Sequence, residues 1–155
     1  MTRRIVLTGV WLGLVQTGLG YAVLVGAGSS ILLFFATVTA WIAGGAIGAT
    51  LKSGKPRVLL FIAGVGTIAA TGILSTNAFS AVAACGGLVA GALSGIFAGR
   101  FIAMQSIQLS DARRVLFLEN NGFTIGIATG LVLLFLDPVG LAAAATLLWG
   151  GLLAE

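Results

Sequence analysis

The sequence predicts an all-α protein: an integral membrane bundle of six transmembrane helices with both termini in the cytoplasm. Three observations carry this. First, 59% of the 155 residues are hydrophobic and 8% are charged, with a mean hydropathy of +1.15. A soluble domain averages about 25% charged residues, so most of this surface must face lipid. Second, the apolar residues gather into six runs of about 16 to 22 residues, close to the ~20 that a helix needs to cross a bilayer core. Third, the basic residues fall only in alternate breaks between those runs.

The first run, 5–25, follows Arg3-Arg4 and carries Gln16, Thr17 and Tyr21. Two arginines before an apolar stretch resemble the start of a signal peptide, but the run has spanning length and no clear cleavage-type ending, so a retained first helix is expected. A GAGSS turn at 26–30 leads to the second run, 31–51. Charge, glycine and proline then coincide in Lys52-Ser53-Gly54-Lys55-Pro56-Arg57, a strong break. The third run, 58–74, ends at Ser75-Thr76-Asn77, and the fourth, 79–99, is closed by Arg100. From 101 to 114 the chain turns amphipathic, which predicts a loop or a helix lying along the interface. The fifth run, 115–136, reads VLFLENNGFTIGIATGLVLLFL; Asp137-Pro138 makes a tight turn, and the sixth run, 139–154, is the shortest. All six are expected to form a single transmembrane domain over 1–155.

With six spans, the N-terminus, the second and fourth breaks and the C-terminus share one side. Arg3, Arg4, Lys52, Lys55, Arg57, Arg100, Arg113 and Arg114 all fall there, while the turns near Ser29, Asn77 and Asp137 carry neither Lys nor Arg. An eight-to-none asymmetry predicts that this side is cytoplasmic and places the protein in a cytoplasmic (inner) membrane.

Glycine spacing marks the packing faces. Gly87, Gly91, Gly95 and Gly99 repeat every four residues in the fourth run, and Gly122, Gly126 and Gly130 do so in the fifth. Lipid offers no hydrophobic force between helices, so small residues that admit close backbone approach mark the contacts. The fourth and fifth helices are the expected pair, with shorter signals at Gly9 and Gly13 and at Gly44 and Gly48. Whether such a rail meets its own chain or a second subunit stays open.

Glu119 falls within about a third of a turn of Gly122, Gly126 and Gly130 at 100° per residue, so the acid should face another helix. An ionisable group in hydrocarbon costs about 2.5 to 3.5 kcal/mol on insertion scales. Glu119 therefore reads as an ion pair with Arg100, Arg113 or Arg114 or a cap, as a proton- or cation-moving group, or as a contact with another subunit. Asn120 and Asn121 point to other faces and need partners. Gln16 and Thr17 could line a narrow polar site or bridge helices.

Other chemistry is excluded or unsupported. The chain has no histidine, which removes the usual haem ligands, common zinc sites and His-based nucleophiles. Cys85 is the single cysteine, so no disulfide forms within the chain. Paired carboxylates, metal-ligand spacing, a nucleophile elbow and a phosphate loop are missing; no enzyme, cofactor or metal is expected. The net charge of +4 reads as a topology signal, not as a nucleic-acid patch. The expected partners are the lipid bilayer and either a second copy or other membrane subunits.

The stretch 44–58, GGAIGATLKSGKPRV, resembles the connection between the second and third helices of the major facilitator superfamily. There a glycine-rich helix end leads into a loop of the type G-x-x-x-D-R-x-G-R-R. Gly48 matches its first glycine, and Gly54, Lys55 and Arg57 match the later glycine and basic residues; Lys52 stands near the acidic position. The fourth and fifth runs, with GLVAGALSGIFAGRF and FLENNGFTIGIATGLVLLFL, are similar to the membrane domain of spermidine-synthase-like proteins, in which an acid precedes a glycine ladder. Polyamine synthesis is not implied, because the 155 residues contain no aminopropyltransferase domain. The resemblance implies one six-helix half of a unit that usually has two. The expected function is a facilitator-like half-transporter acting as an oligomer on an unknown solute; the alternative is a noncatalytic accessory or assembly subunit of a larger membrane complex.

Overall fold

A computed structural model describes residues 2–26 and 31–155. These form six α-helices: α1 (Thr2–Gly26), α2 (Ile31–Thr50), α3 (Pro56–Thr76), α4 (Ala81–Leu109), α5 (Ala112–Leu136) and α6 (Pro138–Ala154). The expected GAGSS turn lies largely outside the described residues. The first five helices are long and apolar enough to cross a membrane, whereas α6 has 17 residues. The chain is thus a helical membrane protein with five helices of spanning length and one shorter apolar helix.

The helix starts follow local chemistry. Pro56 and Pro138 occupy the first turns of α3 and α6, where the missing N–H has no intrahelical acceptor to lose. Asp111 caps α5 by accepting from the Arg114 N–H, and Asp137 caps α6 by accepting from the Val139 N–H. Asp137 also ends α5, its own N–H bonded to Leu133 O, so a single residue separates the two helices.

One expectation fails here. Residues 101–109 are neither a loop nor a separate interfacial helix but the last turns of α4, which runs 29 residues. Nothing between Arg100 and Ser110 breaks a helix, and the chain turns only at Ser110, whose φ is 51°. At 1.5 Å per residue α4 is about 43 Å long, more than a ~30 Å hydrocarbon core.

In α2 and α5 the outer face is apolar and the inner face is mostly small or polar. In α2 the buried residues are Thr37, Gly44 and Gly48, while Leu32 is 78% and Phe35 59% exposed. In α5 they are Val115, Glu119, Gly122, Gly126 and Gly130, while Phe135 is 88% exposed. Water would penalise such a surface, whereas hydrocarbon is its natural solvent.

The chain divides into two compact units, Met1–Gly18 with Ile102–Glu155, and Leu19–Phe101. In the first, the rail of α5 packs on α1: a Cβ on Gly122 or Gly126 would lie under 3.0 Å from the carbonyl of Val6 or Val10, and one on Gly130 would meet Thr17. Gly9 and Gly13 answer from α1, lying against the backbone at Glu119 and Phe123. Residue numbers rise together along both helices, so the pair is parallel. In the second unit α4 packs on α2 in the same way. Gly91, Gly95 and Gly99 lie against the backbone of Thr37, Trp41 and Gly45, and Gly44 and Gly48 against Ala92 and Ile96; Gly87 faces Val23 of α1. Each long rail thus has its partner within its own unit, α1 for the α5 rail and α2 for the α4 rail, where the sequence led us to expect α4 and α5 to pair. Leu19, Val23, Ala70, Leu74, Ala83 and Ala90 form the apolar core of this unit.

Candidate functional site

The polar residues singled out in the sequence do not converge on one point. Glu119 is 5% exposed and lies on the α1-facing side of α5, where its carbonyl abuts Gly9. It shares this face with the three glycines, and the acid is held away from lipid. Thr17 belongs to the same interface, but its hydroxyl donates to Gly13 O at 2.9 Å and its side chain fills the space over Gly130. A threonine bonded to the carbonyl one turn back makes little further polar demand. Gln16, beside it on α1, is half-buried.

Arg100 belongs to the other unit. Its guanidinium donates to the carbonyls of Leu51 and Lys52, just beyond the last turn of α2. Cationic donors suit that position, because the terminal carbonyls of a helix lack intrahelical partners and carry partial negative charge. The lysines and arginine of the α2–α3 connection and Arg100 are thereby gathered at one end of this unit.

Asn120 and Asn121 are exposed. The Asn121 side-chain amide donates to Phe117 O at 2.7 Å, and the Thr124 hydroxyl donates to the backbone carbonyl of Asn120 at 2.9 Å. The rest of the Asn121 amide and the Asn120 side chain are exposed on the outer face of α5, with Thr124 one turn on. They lie six and seven residues beyond Arg114, about 10 Å along the axis. An amide with unmet hydrogen bonds in an apolar medium costs about 2 to 7 kcal/mol, so this face is poorly matched to acyl chains. The outer faces of α2 and α3 expose instead residues such as Ile42, Ile47, Phe61, Ile62 and Ile68.

The structure also shows a place that the sequence did not. At one end of the first unit, Arg3, Arg4, Gln105, Gln108 and Glu155 line a cavity of about 330 Å³. Gln105 is 5% exposed, and its Oε1 has no hydrogen-bond partner. Its sequence trace is faint: two glutamines three residues apart in an amphipathic stretch, far in the chain from the arginine pair they meet. Among the described residues, no three His, Cys, Asp or Glu side chains gather as a metal site would require.

No protein family, no curated protein and no solved structure matches this chain. The chain's distinguishing features are a buried acid beside glycines, an exposed amide pair on α5, and a polar cavity at one end of the first unit.

Proposed function

We propose that this protein is a facilitator-like half-transporter that acts as an oligomer, with its solute path along the outer face of α5 where two copies meet. The observation that carries the reading is the exposed pair Asn120 and Asn121, about 10 Å inside Arg114 on an otherwise apolar helix. Amides at that depth need either a protein partner or a polar file between subunits. A second copy brings the same amides, and a two-fold contact sets them opposite one another. Glu119 and Gln16 stand behind this face, toward α1, as its inner polar groups. The resemblance of 44–58 to the facilitator loop supports the reading, since that family builds its path between two six-helix halves. The distribution of Lys and Arg supports an orientation with both termini cytoplasmic. No catalytic chemistry is assigned.

The second reading, a noncatalytic accessory or assembly subunit, draws on the same amides, which an unrelated membrane helix could equally satisfy. Purification in mild detergent separates the two. The half-transporter reading expects a homodimer, and Asn120→Leu with Asn121→Leu should weaken self-association at least tenfold by sedimentation. A monomer at every concentration, or a fixed-ratio complex with unrelated subunits, overturns it.

A further inference from the structure

We propose that the cavity at the end of the first unit is a binding site for a phosphate ester that carries an adjacent O–H or N–H donor, the chemistry of a phospholipid headgroup such as phosphoglycerol. Its lining is divided by charge. Arg3 and Arg4 stand in the first turn of α1, where free backbone N–H groups add to the pull on an anion. Facing them are Gln105 and Gln108 near the end of α4, and Glu155 just past the end of α6. Two guanidiniums suit a phosphate and bind it through paired N–H donors.

The acceptor side tells what else the ligand carries. Gln105 lines the cavity while 5% exposed, and its Oε1 has no hydrogen-bond partner. A buried carbonyl oxygen left unpaired is costly, and native structures supply such atoms with a donor. The oxygens of an ionised phosphodiester have no proton to donate; a hydroxyl or ammonium beside the phosphate does. Glu155 is a second acceptor for the same group. The volume, about 330 Å³, has room for on the order of ten heavy atoms at roughly 30 Å³ per water-sized unit, the size of a phosphoglycerol head. Basic pockets at the ends of transmembrane helices hold lipid headgroups by this same charge logic.

The test is native mass spectrometry of the delipidated protein, titrated with phosphatidylglycerol, phosphatidylmethanol or phosphatidylcholine, and in a parallel arm with glycerol phosphate. Phosphatidylglycerol should bind at least tenfold more tightly than phosphatidylcholine, and Arg3→Ala with Arg4→Ala should remove that preference. The same change at Arg113 and Arg114, which removes equal charge outside the cavity, should leave it intact. Gln105→Leu should reduce the preference for phosphatidylglycerol over phosphatidylmethanol, a phosphodiester of the same charge whose head lacks the donor. Displacement of the lipid by glycerol phosphate would assign the site to a soluble ester; retention of the lipid assigns it to the headgroup. Equal loss in both arginine pairs, or no preference in the unaltered protein, overturns the proposal. Because Arg3 is exposed and Arg4 only half-buried, that double variant should fold normally even if Gln105→Leu does not.

Discussion

A single methyl group is enough to probe the contact between α1 and α5. A Cβ on Gly126 would fall under 3.0 Å from the carbonyl group of Val10 and 3.0 Å from Gly13 Cα, whereas one on Gly72 of α3 would meet nothing within 4 Å. Backbone cannot rotate aside as a side chain can, so Gly126→Ala must push the two helices apart. Overpacking of this kind costs about 1 to 3 kcal/mol. Gly72→Ala should be neutral or gain up to about 1 kcal/mol from helix propensity. Unfolding by sodium dodecyl sulfate from mixed micelles, followed by circular dichroism, gives both numbers in the same assay. Equal effects would mean that the α5 rail is not in contact with α1.

At the scale of the element, Arg100 joins α4 to the end of α2 through the carbonyls of Leu51 and Lys52. Hydrogen bonds from a charged donor contribute about 1.5 to 3 kcal/mol, so Arg100→Met should destabilise by about that much. It should also speed amide exchange over 51–55, while Arg113→Met, at an exposed position, should do neither. Exchange in 51–55 unaltered by Arg100→Met would remove this role. The helices and the small-residue faces were legible in the sequence because run length and a spacing of four are local properties. The partner of each face was not. A spacing of four says that backbone can come close, without saying whose, and Gly9 with Gly13 proved as good a counterpart to the α5 rail as a longer one. The stretch 101–109 was misread because Gln105, Ser106 and Gln108 look like a surface, although no glycine or proline interrupts them; the better signal was Ser110-Asp111, an N-cap pair. The amide pair could be chosen from sequence, but which side of α5 it occupies depends on where α1 lies. The cavity escaped altogether, because its walls come from three helix ends remote in the chain.

For the whole molecule the question is how many times the chain crosses. α6 is 17 residues, about 26 Å, a few ångströms less than a ~30 Å core. A shortfall of that size is met by local thinning of the bilayer at a fraction of a kcal/mol per Å, so length does not bar a crossing. All eight Lys and Arg precede α6 and share one side whether or not it crosses; what returns the C-terminus to the side of Arg3 and Arg4 is the cavity that Glu155 lines with them. Were α6 to lie flat, its exposed Leu147 and Val139 would still meet apolar surroundings, so burial alone does not decide the matter, but the C-terminus would end on the opposite face. Single cysteines introduced into a Cys85→Ser background distinguish the two. With a membrane-impermeant maleimide on intact cells, Asn77→Cys and Val139→Cys should label from outside, and Ser53→Cys and Ala154→Cys only after permeabilisation. External labelling at position 154 would leave five crossings, with the termini on opposite sides; it would also break the six-helix half on which the transport reading depends.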